Sequence, residues 1–215
     1  MERIGIYGGS FSPVHSGHVK TAERFLDAVG LDKLYIMPVF APPHKTELAE
    51  DTPGQRLDML RLAFEDLPEY GKKIVISDYE IKKQGKSYTV YTLEHFCAPE
   101  RELYFLCGTD MFFSLESWRS PERIFSLATI VCALRYESDT RDECLTFAQR
   151  YKEKYGARVL LLDNEAYPVS STEIRAMCRQ GNDIGAFVPK KVDNYIFVNN
   201  LYTANSKISD TMVEK

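Results

Sequence analysis

Two histidines three residues apart, His15 and His18, end a glycine-rich segment, GGSFSPVHSGH at residues 8–18. The apolar run IGIY at residues 4–7 precedes it and predicts a short buried strand. Glycine lets the backbone approach a ligand closely, and the free N–H groups at the start of a following helix favour phosphate. Residues i and i+3 are neighbours on a helical turn, so both imidazoles can face one polyphosphate. The segment therefore predicts a phosphate-binding site.

The histidines carry this prediction, because a glycine pair after a strand also occurs in tight turns for steric reasons alone. The pattern G-x-G-x-x-G is absent from the segment. Three of the four histidines, His15, His18 and His44, follow the first two predicted strands, and a doubly wound sheet brings such loops together. The pair beside the glycine loop favours phosphate binding over a structural role.

A second segment, VSSTEIR at residues 169–175, combines helix-start residues with a cation. Ser170 and Glu173 fit the capping box, in which each side chain accepts from a backbone amide at the helix start. Arg175 follows Ser171 by four residues on the same helical face, so hydroxyl, amides and guanidinium can together hold a polyphosphate. Capping and phosphate binding explain this segment equally well by itself, and the first motif favours phosphate binding.

Composition excludes several classes of protein. The 215 residues carry a net charge of −4 with a pI near 5.7, which argues against nucleic-acid binding because no domain-wide basic surface is present. The five cysteines are scattered and form no C-x-x-C pair, as expected for reduced thiols in the cytoplasm. No apolar stretch reaches the roughly 18 residues of a membrane span. We expect a soluble cytoplasmic protein with neither membrane nor nucleic-acid partner, and composition leaves a homo-oligomer open.

Apolar runs alternate with helical patterns along the chain. The predicted strands cover residues 4–7, 33–38, 73–77, 102–107, 129–134 and 158–162, and the predicted helices cover residues 19–29, 55–67, 89–96 and 141–155. Apolar strands separated by helices indicate an α/β fold with a doubly wound, mostly parallel sheet. Such sheets bind ligands at the carboxyl ends of their strands, where His15 and His18 fall. We expect one domain at residues 1–202 and a loose tail at residues 203–215.

Three further residues present polar or aromatic groups at strand ends or in loops. Asp110 follows a predicted strand, where a carboxylate either accepts from ribose hydroxyls or caps a helix. Trp118 is the only tryptophan, and its ring either stacks on an electron-poor pyridinium or packs in the core. Lys45, in the loop PPHK at residues 42–45, either binds phosphate or is an ordinary solvated lysine. The residues alone leave these alternatives open.

Together these segments resemble the bacterial nicotinate-nucleotide adenylyltransferases, a branch of the H-x-G-H nucleotidyltransferase superfamily with a Rossmann-like fold. The resemblance covers nearly the whole chain and rests on the order and spacing of its motifs. These are HSGH at residues 15–18, PPHK at 42–45, RLDML at 56–60, SYTVYTL at 87–93, GTD at 108–110, SSTEIR at 170–175, and VP at 188–189 with YI at 195–196. H-x-G-H specifies the superfamily, and the PPHK and SYT segments with Trp118 narrow the resemblance to this branch.

The resemblance implies transfer of the adenylyl group of ATP to nicotinate mononucleotide, giving deamido-NAD and pyrophosphate in NAD biosynthesis. It implies that His15, His18 and Arg175 are catalytic. The residues that it implies for ATP binding are Gly8, Gly9, Ser10, His15, His18, Gly108, Asp110, Ser170, Ser171 and Arg175. Those implied for nicotinate mononucleotide are His44, Lys45, Thr89, Trp118 and Arg119. Mg²⁺ is expected with ATP, held mainly by substrate phosphates rather than by a protein metal site.

Five residues depart from the pattern of the resembled family. Two departures are mild: Ser10 stands where threonine is common and keeps the hydroxyl, and Ser12 stands where aspartate is common and keeps a turn-forming side chain. Tyr91 also stands where aspartate is usual, Thr109 replaces alanine, and Arg119 follows the tryptophan where tyrosine is frequent. These last three affect the acceptor pocket, where Arg119 either adds positive charge beside the substrate carboxylate or points to solvent.

Two other functions are compatible with the same ATP half of the site. One is adenylyl transfer to a different phosphate acceptor, such as phosphopantetheine or nicotinamide mononucleotide. The other is a non-catalytic adenine-nucleotide sensor, because a fold alone does not establish activity.

Overall fold

The computed structural model describes residues 1–41, 50–67, 70–134, 141–163 and 167–204. Its β-strands are β1 (Glu2–Gly9), β2 (Lys33–Pro38), β3 (Ile74–Ile76), β4 (Arg101–Gly108), β5 (Ala128–Ala133) and β6 (Val159–Leu162). Within the described part of the chain they form one sheet in the order β3-β2-β1-β4-β5-β6, and each neighbouring pair is parallel. The predicted doubly wound parallel sheet is confirmed.

Helices cover both faces of this sheet. They are α1 (Ser16–Val29), α2 (Pro53–Phe64), α3 (Tyr79–Lys83), α4 (Thr89–Phe96), α5 (Thr109–Ser114), α6 (Pro121–Leu127), α7 (Arg141–Tyr155), α8 (Ser171–Arg179) and α9 (Lys190–Val198). Successive strand side chains point to opposite faces and therefore enter different cores. In β1, Ile6 belongs to the core on one face and Tyr7 to the core on the other. Burial on both faces explains why the strands are apolar throughout.

Several predicted elements have shifted ends. β2, α4 and α7 have the predicted bounds. α1 begins at Ser16 rather than at residue 19, because His15 takes the N-cap position. α2 begins at Pro53 rather than at residue 55, because Thr52 caps it: the Thr52 hydroxyl accepts from the Gln55 N–H at 3.2 Å. These starts are set by local caps that apolar periodicity does not report.

The strand order places a ligand crevice beside β1. The chain adds β2 and β3 on one side of β1 and then crosses to the other side to form β4, so the order reverses between β1 and β4. Doubly wound sheets bind ligands at such a reversal, outside the carboxyl ends of the strands. Gly9 ends β1 there and Gly108 ends β4.

The described helices can be compared with the requirements of a membrane span, whereas the predicted domain bounds are not tested. Of the helices in the described ranges, none combines the length and the apolar character needed to cross a bilayer. The division into one domain at residues 1–202 and a tail at residues 203–215 stays a prediction, and residues 205–215 lie outside the described ranges.

Candidate active site

A cleft of about 1930 Å³ opens at the carboxyl edge of the sheet. Ligand pockets commonly measure about 300–1,000 Å³, so this cleft has room for two nucleotides. The structure brings the following predicted residues to its walls: Gly8, Gly9, Ser10, His15, His18, Thr89, Gly108, Asp110, Trp118, Arg119, Ser170, Ser171 and Arg175. His44 and Lys45 were also predicted for this site and lie outside the described residues.

The two histidines form one unit at the start of α1. His15 is the N-cap residue, and its backbone N–H donates to Nδ1 of His18 at 3.2 Å. Their ring centroids are 3.7 Å apart, and both side chains are buried. Because Nδ1 of His18 accepts a hydrogen bond, its neutral ring carries the proton on Nε2. His18 can therefore act as an Nε2–H donor toward an anion in the cleft.

The Tyr167 ring packs against His15 and holds its imidazole in place. The two rings stack, with centroids 5.3 Å apart and planes 6° apart. The Tyr167 hydroxyl donates to the carbonyl oxygen of Phe187 at 3.0 Å, which anchors the ring. Sequence reasoning missed Tyr167, because only its position next to Pro168 marks it in the sequence.

Two glycines of the first motif have different steric roles. A Cβ on Gly17 would lie 2.6 Å from Cγ of Tyr167 and 2.9 Å from Cε1 of His15, so the position just before His18 requires glycine. A Cβ on Gly8 would meet no atom of the described residues within 4 Å, although Gly8 lines the cleft. Gly17 therefore serves the packing of the protein, whereas Gly8 leaves space that a ligand can use.

The second motif docks against the first across the fold. The Ser171 hydroxyl donates to the carbonyl oxygen of Pro13 at 2.9 Å. Nη1 of Arg175 donates to the carbonyl oxygen of Ser12 at 2.7 Å, and Nε of Arg175 lies 3.5 Å from Oε1 of Glu50. The start of α8 and the loop after β1 therefore form one wall of the cleft.

The capping explanation of the second motif holds in the structure. The Ser170 hydroxyl accepts from the Glu173 N–H at 3.3 Å, and the Ser170 N–H donates to Oε2 of Glu173 at 2.7 Å. Hydrogen bonds from the Ser170 backbone and side chain lower the pKa of Glu173. Capping does not exclude phosphate binding, because Ser170, Ser171 and Arg175 also line the cleft.

A buried ion pair lies beneath the loop after β1, and sequence reasoning missed it. Nε of Arg56 lies 3.1 Å from Oδ1 of Asp51, and both side chains are almost completely buried. Burial raises the pKa of Asp51, while hydrogen bonds from Ser12 and Tyr202 and the charge of Arg56 oppose that rise. The stretch containing Arg56 belonged to the family resemblance, but neither residue was assigned a role in the site.

The other half of the cleft is aromatic. Trp118 lies 6.1 Å from Phe105, ring centroid to ring centroid, and its Nε1–H donates to the Ser114 hydroxyl at 3.2 Å. Trp118 also lines the cleft, so its ring is placed by packing and available to a ligand. Thr89 begins α4 on the same side.

Arg119 extends this aromatic half with a positive charge. Its guanidinium carbon lies 5.0 Å from the centroid of the Tyr88 ring and 5.3 Å from that of the Tyr91 ring. Arg119 is exposed, and cation–π attraction holds its guanidinium against these two rings. Two of the departures from the family pattern, Tyr91 and Arg119, therefore contact each other, and Arg119 lines the cleft.

Asp110 lies where a nucleotide could reach it. Gly108 holds the N-cap position of α5, so the alternative in which Asp110 caps this helix is wrong. Asp110 falls in the first turn of the helix, is exposed and lines the cleft. The alternative, a carboxylate that accepts from ligand hydroxyls, is open to it.

The fold and the histidine pair define a nucleotidyltransferase, and the cytidylyltransferase-like family model matches residues 6–177. The probable nicotinate-nucleotide adenylyltransferase of Clostridium beijerinckii is 35% identical over 208 residues, covering 94% of this chain and 100% of the relative. The probable nicotinate-nucleotide adenylyltransferase of Clostridium tetani is 35% identical over 204 residues, with the same coverage. The chain belongs to the nicotinate-nucleotide adenylyltransferase family.

Solved structures share the fold. The nicotinic acid mononucleotide adenylyltransferase of Plasmodium falciparum complexed with APC superposes with a TM-score of 0.72 at 20% identity, covering 94% of this chain and 98% of that one. The same enzyme complexed with NaAD gives a TM-score of 0.72 at 19% identity, with the same coverage. At this identity the likeness supports the architecture.

The two glycines predict opposite outcomes on substitution by alanine. Gly17→Ala forces a Cβ against the Tyr167 ring, and such overpacking costs about 1–3 kcal/mol, which lowers Tm by roughly 2–12 °C in a protein of this size. Gly8→Ala meets no atom of the described residues, so Tm should be unchanged, while affinity for a non-hydrolysable nucleoside triphosphate falls about tenfold or more. Thermal unfolding and calorimetric titration of both variants measure this. A destabilised Gly8→Ala variant or an unaffected Gly17→Ala variant would contradict the two roles.

Proposed function

We propose that this chain transfers the adenylyl group of ATP to nicotinate mononucleotide, giving deamido-NAD and pyrophosphate in NAD biosynthesis. The observation that supports the proposal is that one cleft contains both kinds of surface. The paired histidines and the start of α8 lie on one side of it, and an aromatic half containing Trp118 lies on the other. The half proposed to bind phosphate suits the triphosphate of ATP, and the aromatic half suits the pyridinium ring of nicotinate mononucleotide. We place the activity in the cytoplasm, and a homo-oligomer stays open.

The phosphate half would bind ATP. We assign catalysis to His15, His18 and Arg175. The remaining ATP contacts are assigned to Gly8, Gly9, Ser10, Gly108, Asp110, Ser170 and Ser171. Gly8 supports close approach of the phosphates, because no atom of the described residues lies within 4 Å of the position that its Cβ would take. Asp110, in the first turn after β4, would accept hydrogen bonds from the ATP ribose.

The reaction requires no protein nucleophile. A phosphate oxygen of the mononucleotide attacks the α-phosphorus of ATP in line, a new P–O bond forms, and the bond from the α-phosphorus to pyrophosphate breaks. The protein contributes positioning and stabilisation of negative charge. The Nε2–H of His18 would donate to the developing pyrophosphate, and His15 would face the α-phosphate. The Arg175 guanidinium adds a fixed positive charge to the same wall of the cleft.

We infer that Mg²⁺ enters with ATP as part of the substrate. Magnesium usually keeps several waters and takes its anionic ligands from substrate phosphates, and it supplies neutralisation of phosphate charge. In the described part of the chain, no group of three or more His, Cys, Asp or Glu is arranged to hold a metal ion. The hydroxyl and imidazole groups that line the phosphate half suit phosphate oxygens rather than a bare cation.

The aromatic half would bind nicotinate mononucleotide. Trp118 offers the pyridinium ring an aromatic face, and the first N–H groups of α4 at Thr89 offer the nicotinate carboxylate hydrogen-bond donors. Arg119, held on Tyr88 and Tyr91, adds positive charge at that end. His44 and Lys45 are proposed to hold the acceptor phosphate. A carboxamide would place its own NH₂ against these donors, which favours nicotinate over nicotinamide.

The function is tested by pyrophosphate release with Mg²⁺-ATP and one acceptor at a time. The acceptors are nicotinate mononucleotide, nicotinamide mononucleotide and phosphopantetheine. We expect a strong preference for nicotinate mononucleotide. Turnover only with another acceptor would keep the ATP half and overturn the assignments of Thr89, Trp118 and Arg119. ATP binding without turnover would make the protein a nucleotide sensor.

Removal of the His18 imidazole should slow the chemical step. His18→Ala is expected to lower kcat about 10²-fold or more, the usual effect of losing one transition-state donor. His95→Ala is the matched control, because His95 is exposed and stacks on Tyr79 outside the cleft. Steady-state kinetics of both variants compare the two histidines. Wild-type turnover by His18→Ala would remove His18 from the mechanism.

Truncation of Trp118 should separate the two substrates. Trp118→Ala is expected to raise KM for nicotinate mononucleotide about tenfold or more while KM for ATP changes little, because the ring faces the acceptor half. Trp118→Phe keeps an aromatic face and should lose much less. Both KM values are measured for each variant. Equal increases for the two substrates would show that Trp118 is not the acceptor platform.

A further inference from the structure

The loop after β1 has a strained backbone and is held in place by buried side chains. Phe11 has φ +49°, the left-handed region that bulky side chains rarely adopt, and its side chain is 2% exposed. Such conformations persist where surrounding contacts determine them, and they occur often at functional sites. Two of the contacts that hold the loop, one on each side of Phe11, come from Asp51 and its ion-pair partner Arg56.

Asp51 has no direct place in the proposed chemistry. It lies just before α2, its side chain is 1% exposed, and its Oδ2 accepts hydrogen bonds from the Ser12 and Tyr202 hydroxyls. Its Oδ1 lies 3.1 Å from Nε of Arg56. A buried ion pair stabilises only when further hydrogen bonds satisfy its charged atoms, and here Ser12 and Tyr202 supply them to the carboxylate.

Arg56 links the Asp51 carboxylate to two loops, because it pairs with Asp51 and donates hydrogen bonds to the backbone of both loops. Its Nη1 donates to the carbonyl oxygen of Ser10 at 3.1 Å and to that of Val39 at 2.6 Å, and its Nη2 donates to that of Phe40 at 3.2 Å. Ser10 follows β1, and Val39 and Phe40 follow β2. The ion pair therefore ties together the main chains that leave two neighbouring strands at the cleft.

Ser12 connects the carboxylate to the predicted triphosphate site. Asp51 holds the Ser12 hydroxyl, and Nη1 of Arg175 holds the Ser12 carbonyl oxygen at 2.7 Å. A shift of Asp51 would therefore move Ser12 and, through it, the guanidinium that we assign to ATP. Glu50, the preceding residue, contacts both Arg175 and Arg179. The two acidic residues thus set the positions of cations along one wall of the cleft.

We propose that Asp51 is a positioning residue for adenylyl transfer, whose carboxylate holds the loop at residues 10–13 and Arg175 in the geometry that binds the triphosphate. The proposal rests on the proposed function, because the reaction defines which geometry matters. Asp51 acts through Ser12 and Arg56 and does not touch substrate.

The contact between Ser12 and Asp51 provides a charge-exchange test. A single carboxylate could be supplied from either residue of this contact. Carboxylates at both residues would repel each other, because the site is buried. Ser12→Asp places a second carboxylate there, and Asp51→Ser removes the Asp51 carboxylate and breaks its ion pair with Arg56. The double variant, Ser12→Asp with Asp51→Ser, restores one carboxylate beside Arg56.

The expected results are losses in the single variants and recovery in the double variant. Each single variant should lose about tenfold or more in kcat and in affinity for a non-hydrolysable ATP analogue, because displacement of the phosphate site by about 1 Å has large effects. The double variant should recover to within about threefold of the wild type. The dissociation constant of the ATP analogue is the deciding measurement, because Arg56 also holds the main chain after β2, which leads toward the proposed acceptor residues. Strong coupling is expected only for residues that share contacts.

A second pair of variants tests the same anchor without changing charge. Tyr202→Phe removes one hydrogen bond to Asp51 and should weaken ATP-analogue binding about threefold or more. Tyr195→Phe is the matched control, because the Tyr195 hydroxyl donates to Asp58 at 3.3 Å, away from the loop, and should leave that affinity unchanged. These variants also decide the matter if Asp51→Ser does not fold.

Two results would overturn the inference. One is a double variant whose loss equals the product of the two single losses, and the other is Tyr202→Phe with the analogue affinity of Tyr195→Phe. A role in stability alone would lower Tm and the active fraction without changing the dissociation constant of the analogue. If the wild type transfers adenylyl to none of the acceptors, the proposed function fails, and analogue affinity in the same variants still judges the role of Asp51.

Discussion

The site depends on the attachment of the loop after β1 to the start of α8. Two hydrogen bonds make this attachment, from Ser171 to the Pro13 carbonyl and from Arg175 to the Ser12 carbonyl. They join segments about 160 residues apart in sequence, as the separations of 158 and 163 residues show. Without them, the histidines at α1 and the cation on α8 would not face the same space. The parallel sheet brings these segments close, and the two hydrogen bonds set their separation.

The local chemistry of the histidine pair follows from the same turn. Because His15 caps α1, its backbone N–H is available to Nδ1 of His18, and this bond sets which nitrogen of His18 carries the proton. Gly17 between them admits the Tyr167 ring, which stacks on His15. One short segment thus combines a helix start, two oriented imidazoles and the glycine that allows their support. This explains why the spacing of H-x-G-H carries chemical information.

The cleft is asymmetric in its physical character. The half proposed to bind phosphate consists of backbone amides, hydroxyls, imidazoles and a guanidinium, and the other half is aromatic, with Trp118 and the Tyr88 ring beside Arg119. Phosphate groups are held by fixed dipoles and charge, whereas a flat ring is held by contact area and π interactions. The Asp51–Arg56 pair lies on the phosphate side, where small displacements matter most. A cleft with one polar half and one aromatic half suits a reaction that joins two nucleotides through their phosphates.

Local patterns in the sequence were sufficient for the architecture and for part of the site. Apolar runs predicted all six strands now seen in the described chain, although the strand at Ile74–Ile76 is shorter than predicted. The helix that begins at Ser171 and its Ser170 and Glu173 cap follow from residues within one turn. The histidines were found for the same reason, because residues three apart in a helical turn are neighbours wherever the helix lies. Helix starts at Ser16 and Pro53 were missed, because caps rather than periodicity set them.

Tertiary structure alone decided the supports of the site. Arg56 reaches the Ser10 carbonyl across 46 residues, and Tyr202 reaches Asp51 across 151 residues. No periodicity or spacing encodes such contacts, because they depend on how helices pack on the sheet. Arg119 could have pointed to solvent by sequence alone, and packing placed it on two tyrosine rings. The sequence by itself determined the fold class and the adjacent positions of the two histidines, since those depend on local geometry. Long-range packing determined what holds these groups in place.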